Sequence, residues 1–67
     1  MTISLNNREE AFDKEKISIS ELLIIKKYSF KMLVIKLNDK LIKKENYENI
    51  IIKDGDKVDI IHLMSGG

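Results

Sequence analysis

A single capped helix is the sequence feature that most constrains the fold of this chain. Ser18-Ile19-Ser20-Glu21 has the form of a capping box, in which the serine hydroxyl and the glutamate carboxylate each accept a hydrogen bond from the other residue's backbone amide. The Ile24-Ile25 pair has strand propensity, but the capping box and the apolar spacing favour a helix over residues 18–28. The apolar stripe of this helix comprises Ile19, Leu22, Leu23 and Ile25.

The segment before the helix predicts an antiparallel pair of strands. Residues 2–6 alternate polar and apolar side chains, as a half-buried strand does. Asn6-Asn7 is a turn candidate, because asparagine tolerates the left-handed backbone conformation. Residues 8–13 would return as a polar strand with Phe12 as its apolar anchor, and their charges suit the edge of a sheet.

The segment after the helix continues with strands. Residues 32–37 predict one strand, and Asn38-Asp39 predicts a turn into a short strand over residues 40–43. Residues 44–49 are polar and predict one loose helical turn around Tyr47.

A tight turn and a last apolar strand complete the pattern. Residues 50–52 are expected to pack without forming a strand. Asp54-Gly55-Asp56 is a strong turn signal, because glycine reaches positive φ without a Cβ clash. Residues 58–64 are rich in β-branched and apolar side chains, which predicts a strand in the interior of the sheet.

The resulting order, β-β-α-β-β, a short helical turn and a final β, is the β-grasp pattern. We therefore expect an α+β fold with a mixed sheet of four to five strands packed on one main helix. The first and last strands should be parallel and adjacent. The helix should cover one face of the sheet through Leu22 and Leu23, against a core of Ile3, Leu5, Leu33, Ile35, Val58 and Ile60.

The composition excludes several function classes. The formal net charge is +1, whereas a protein that tracks nucleic-acid phosphates should be clearly basic. The absence of cysteine excludes thiolate metal sites, and a single histidine argues against a catalytic dyad. No segment approaches the roughly 18 apolar residues of a membrane span, and no signal peptide is recognisable. We expect a cytoplasmic protein with one domain over residues 1–67, monomeric when free, that binds neither nucleic acid nor membrane.

The side chains become small at the end of the chain, which finishes in two glycines. Met64-Ser65-Gly66-Gly67 should form a flexible tail that can thread a narrow channel, with the α-carboxylate of Gly67 as its only reactive group. If Val58 and Ile60 face the core, period-two alternation puts the neighbouring residues on the open face of the sheet. The residues expected to bind a partner are Val34, Lys36, Asp59, Ile61, Leu63, Met64, Ser65, Gly66 and Gly67.

The chain resembles the ubiquitin-like sulfur carriers, and within them the thiamine-biosynthesis family ThiS. The resemblance covers essentially the whole chain. It rests on the capped helix opening Ser18-Ile19-Ser20-Glu21-Leu22-Leu23, the segment Val34-Ile35-Lys36-Leu37-Asn38-Asp39-Lys40-Leu41-Ile42, the turn Asp54-Gly55-Asp56-Lys57-Val58 and the final Gly66-Gly67. A tryptophan is frequent in the family where this chain has Tyr47.

The resemblance implies a protein co-substrate and not an enzyme. A ubiquitin-activating-type adenylyltransferase (ThiF) would use ATP to form a glycyl adenylate at Gly67, and sulfur from a persulfide donor would replace AMP. The product would be a thiocarboxylate, 1-thioglycine, which donates its sulfur to thiazole synthase (ThiG). No cofactor would be bound by the chain itself. A carboxylate is a poor electrophile until its oxygen becomes a good leaving group, and nothing in this sequence could effect that change.

Other function classes fit the residues as well. The chain could carry sulfur for molybdopterin or another sulfur metabolite, or act as a ubiquitin-like protein modifier. A passive β-grasp interaction module is the third class, and such a module would not need Gly67.

Overall fold

The computed structural model describes residues 1–28 and 32–63, which form seven strands, one α-helix and one 3-10 turn. The strands are β1 (Thr2–Leu5), β2 (Arg8–Ala11), β3 (Lys16–Ser18), β4 (Leu33–Leu37), β5 (Lys40–Ile42), β6 (Ile51–Lys53) and β7 (Lys57–His62). The helix α1 (Ile19–Ile25) follows β3, and the 3-10 turn Lys44–Asn46 lies between β5 and β6.

Five strands form a mixed sheet in the order β2-β1-β7-β4-β5. The last strand, β7, lies in the middle, parallel to β1 and antiparallel to β4. The polar strand β2 is at one edge, as its charges predict. The predicted mixed sheet and the parallel pairing of the first and last strands are therefore confirmed.

Two hairpins build this sheet through two-residue turns with left-handed backbones. Asn6 and Asn7 have φ values of 51° and 66°, and Asn38 and Asp39 have φ values of 50° and 69°. Positive φ at both central residues is the type I′ geometry, whose twist matches that of antiparallel strands. Asparagine and aspartate tolerate it better than other side chains do, so both predicted turns form.

One face of the sheet carries the core. Leu22 and Leu23 of α1 are fully buried, as predicted. Tyr47 is also buried, directly after the 3-10 turn that was predicted around it. The other buried apolar residues are Ile3, Leu5, Ile17, Ile19, Ile35, Ile52, Val58 and Ile60, and half-buried Leu33 packs against them.

The helix is shorter than predicted. It ends at Ile25 and not at residue 28, because Lys27 adopts a left-handed φ of 60°. Ile25, which was predicted in the apolar stripe, is 43% exposed. The reason is geometric, since residue 25 lies about 60° around the helix from buried Leu22 but about 160° from buried Leu23, at the edge of the buried stripe.

A second, two-stranded sheet was not predicted. β3 pairs antiparallel with β6, with Ile17 opposite Ile52, so the assignment of residues 50–52 as a non-strand segment is wrong. Other strand boundaries differ by one or two residues. β2 ends at Ala11, which leaves half-buried Phe12 beyond the strand, β4 begins at Leu33, and β5 ends at Ile42.

Candidate docking face and carrier terminus

The last strand separates a buried row of side chains from an outward row. Val58 and Ile60 are buried, while Ile61 is 45% exposed. The register with β4 places Ile61 opposite Val34 and Asp59 opposite Lys36. Directly opposed residues share one face of an antiparallel pair. The four side chains predicted from alternation therefore lie together on the face away from the helix.

Leu41 belongs to the same face and was missed. It lies opposite Lys36 in the β4–β5 register and is strongly exposed. We define the open face as Val34, Lys36, Leu41, Asp59 and Ile61. The charged pair of Lys36 and Asp59 lies beside the apolar pair of Val34 and Ile61. Surfaces that bind protein partners also combine apolar and polar side chains. The signal for Leu41 was present, because a two-residue turn fixes which strand positions are opposite each other.

Leu63 and Met32 continue the ladder beyond β7. The Leu63 N–H donates to the Met32 carbonyl oxygen at 2.7 Å, and both side chains are exposed. Leu63 was a predicted partner residue, whereas Met32 had been assigned only to a strand. The final strand itself spans Lys57–His62 and not residues 58–64.

Ion pairs organise the charged part of the open face. Lys57 Nζ lies 3.2 Å from Asp39 Oδ1 and 4.0 Å from Asp59 Oδ2. The hydrogen bond to Asp39 and the charges of both carboxylates raise the pKa of Lys57 above its usual range. This lysine therefore remains a cation beside the open face throughout the neutral range.

The two carboxylates of the Asp54-Gly55-Asp56 turn accept hydrogen bonds from backbone N–H groups. Asp54 Oδ1 accepts from the Thr2 N–H at 2.7 Å, and Asp56 Oδ2 accepts from the Lys53 N–H at 2.8 Å. Gly55 between them has a φ of 86°, which favours glycine. The predicted Asp54-Gly55-Asp56 turn is therefore confirmed, with Asp56 bonded within the turn region and Asp54 bonded to β1.

His62 is an exposed residue at the end of β7. Its ring centroid is 6.3 Å from that of Tyr28, in an edge-to-face arrangement. This contact places the end of β7 next to the chain that leaves α1.

The predicted tail residues Met64, Ser65, Gly66 and Gly67 lie outside the described residues. Their partner-binding role, and the predicted flexibility of residues 64–67, stay predictions. No helix within residues 1–28 and 32–63 is long and apolar enough to cross a membrane.

A mixed sheet with one helix across it and the last strand at its centre defines a ubiquitin-like β-grasp protein. The ThiS family model matches residues 2–67. The sulfur carrier protein ThiS of Bacillus subtilis (strain 168) is 28% identical over 65 residues, which cover 97% of this chain and 98% of that protein. The chain belongs to the ThiS family.

Two further proteins are similar along most of their length. The crystal structure of the thiamine biosynthesis protein ThiS from Geobacter metallireducens matches with a TM-score of 0.89 at 28% identity, and the match covers all of both chains. The uncharacterized protein ycf40 of Trieres chinensis is 30% identical over 61 residues, which cover 91% of this chain and 84% of that protein. The family resemblance predicted from the sequence is confirmed.

Proposed function

We infer that the chain is a sulfur carrier protein of thiamine biosynthesis. The observation that carries this proposal is the ThiS family match over residues 2–67. The structural match to a thiamine biosynthesis protein along its whole length supports it. The chain would act as a protein co-substrate, and the bond-making groups would belong to its partner enzymes.

The reactive group we propose is the α-carboxylate of Gly67. A carboxylate oxygen attacks the α-phosphate of ATP in the active site of the adenylyltransferase (ThiF), and pyrophosphate leaves. A persulfide sulfur then attacks the activated carbonyl carbon and displaces AMP. A thiol cleaves the remaining S–S bond, which leaves a thiocarboxylate for thiazole synthase (ThiG).

The position of β7 supports this role. Its buried residues Val58 and Ile60 anchor the strand in the core, and only Leu63 separates its end from the tail. The open face lies on the same strand, so one partner can contact the open face while it receives the tail. Small residues at the end of the tail would let the carboxylate enter a narrow active site.

The lack of cysteine makes the proposal directly testable. The protein is incubated with ATP, the adenylyltransferase and a persulfide source, and then alkylated at mildly acidic pH. We expect a single label on the C-terminal peptide. Mass alone would be ambiguous, because sulfur-for-oxygen exchange resembles the gain of one oxygen, and the chain has three oxidisable methionines.

Two controls define the result. Labelling should disappear when ATP is omitted and when Gly67 is deleted. No label in the complete mixture, with an adenylyltransferase shown to be active on another carrier, would reject the sulfur-carrier function in favour of a passive module. Transfer of the sulfur to molybdopterin synthesis but not to thiazole synthase would reject the thiamine assignment alone.

A further inference from the structure

Two asparagines hold the last strand from opposite sides. On one side, the Asn38 N–H donates to the Lys57 carbonyl oxygen at 2.7 Å, and the Lys57 N–H donates to Asn38 Oδ1 at 2.9 Å. On the other side, the Asn6 N–H donates to the Val58 carbonyl oxygen at 2.9 Å, and the Ile60 N–H donates to Asn6 Oδ1 at 2.7 Å. Both asparagines are the first residue of a type I′ turn, with φ values of 50° and 51°.

The two contacts differ in where they meet β7. Asn38 binds its first residue, Lys57, whereas the Asn6 side chain binds Ile60, two residues before the strand ends. The β1 register stops at the pair Leu5–Val58, while β4 continues alongside β7 as far as His62. Among the described residues, the Asn6 carboxamide thus takes the place of the missing β1 strand at Ile60.

The ladder geometry shows why this bond matters. Alternate residues of a strand direct their backbone groups to opposite edges. Leu63 donates to Met32 on the β4 side, so Ile61 and Leu63 face β4 while Ile60 and His62 face the other edge. The Ile60 N–H would be left without a strand partner at this edge if the Asn6 carboxamide were removed.

We propose that Asn6 is a positioning residue for the carrier terminus, because it fixes the backbone of the last strand at Ile60, on the edge that β1 no longer covers. This role rests on the proposed function. Leu63 is the last described residue of this ladder, and Gly67 is four residues beyond it, a reach of about 13–14 Å when extended. A partner that binds the open face and the terminus together requires a fixed origin for that reach. Any conformational freedom that the backbone gained at Ile60 would be lost again when the partner binds, and this loss of entropy would weaken binding.

Three variants separate positioning from general stability. Asn6→Gly keeps the left-handed turn, because glycine adopts positive φ freely, but it removes the acceptor for Ile60. Asn6→Asp keeps an acceptor oxygen and tolerates the same backbone conformation. Asn38→Gly is the matched control, since it removes the equivalent acceptor from Lys57 at the far end of the same strand.

The measurements are amide hydrogen exchange at Ile60, and the KM and kcat of adenylation at a temperature where every variant is folded. For Asn6→Gly we expect faster exchange at Ile60 and a KM about two- to tenfold higher, the range that one neutral hydrogen bond corresponds to. The kcat should not change. Asn6→Asp should restore both values, and Asn38→Gly should leave KM unchanged.

The possible outcomes are distinct. An unchanged KM for Asn6→Gly, with normal adenylation of the wild-type chain, would overturn the positioning role and leave the proposed function intact. An equal rise in KM for Asn6→Gly and Asn38→Gly would assign the effect to a general loosening of β7 and not to the backbone at Ile60, and would also overturn the positioning role. If the wild-type chain is never adenylated, the proposed function fails and the positioning role fails with it. If Asn6→Gly does not fold, the test rests on Asn6→Asp, which keeps an acceptor oxygen for the Ile60 N–H. Fast amide exchange at Ile60 in that folded variant would contradict the proposal.

Discussion

The Tyr28 N–H donates to the Leu23 carbonyl oxygen at 2.8 Å, and this bond closes the end of the only α-helix among the described residues. The Lys27 N–H donates to the Ile24 carbonyl oxygen at 3.1 Å. Together these bonds form a Schellman motif, whose turning residue adopts a left-handed conformation. Glycine is usual at that position, but here it is Lys27, so the sequence carries no recognisable stop signal.

Lys27→Gly should therefore stabilise the protein. Glycine removes the Cβ strain of the left-handed conformation, which costs about 1–2 kcal/mol, but its greater freedom in the unfolded chain offsets part of the gain. We expect a net increase of about 0.5–1 kcal/mol in the free energy of unfolding, measured by urea denaturation.

Lys26→Gly is the control for this substitution. Lys26 has a φ of −88° and its Nζ lies 2.7 Å from Glu10 Oε1, so glycine gives no relief there and removes an ion pair. This variant should be less stable than the wild type. Equal effects of the two substitutions would contradict the role assigned to Lys27.

Leu22→Ala tests the packing of the helix on the sheet. Leu22 is fully buried in the core, and truncation of such a side chain costs about 2–5 kcal/mol. Ile24→Ala on the same helix is the control. Because Ile24 is 66% exposed, its truncation should lower the free energy of unfolding by less than about 0.5 kcal/mol. Chemical denaturation of both variants measures the difference. A near-neutral Leu22→Ala would contradict the packing described.

The sequence alone was sufficient to predict the strands, turns and helix that have a strong local signal. The asparagine turns and the alternation around Ile35 predicted two hairpins, and the capping box predicted the start of the helix. The β3–β6 pair was not predictable in the same way, because each strand has three residues and alternation needs a longer run. Its partners, such as Ile17 and Ile52, are also far apart in the chain, so only the tertiary structure pairs them.

The candidate site was partly predictable for a related reason. Period-two alternation assigned Ile61 and Val34 to one face before their register was known. Asn6 carried no signal beyond its turn, because its side-chain bond to Ile60 joins residues from the two ends of the chain.

Acidification should weaken the capping box at Glu21. The Ser18 N–H donates to Glu21 Oε1 at 2.9 Å, and this bond is the main cause that lowers the pKa of the carboxyl below its ordinary value of 4.5. A group with a lowered pKa stabilises the fold fully above its unfolded value, and this stabilisation is lost as the pH falls through the folded value. The free energy of unfolding should therefore decrease below about pH 4.5.

Glu21→Gln isolates this contribution. Glutamine keeps an acceptor oxygen for the Ser18 N–H but does not titrate. The free energy of unfolding of this variant should therefore depend less on pH in the acidic range. Glu15→Gln changes an exposed carboxylate outside the helix and is the control. Denaturation series at several pH values would compare the three proteins. Parallel pH profiles for wild type and Glu21→Gln would show that the carboxylate charge adds nothing to the cap.

Ile61→Asp tests whether the open face binds the adenylyltransferase. Ile61 is 45% exposed and lies opposite Val34, so a carboxylate there faces solvent in the free protein but would be desolvated in an apolar interface. We expect binding to weaken by about tenfold or more, measured by calorimetric titration. Ile51→Asp is the matched control, because Ile51 is 41% exposed on a strand of the second sheet. Equal losses in the two variants would show that the open face is not the docking surface, and unfolding of Ile61→Asp would show that Ile61 belongs to the core.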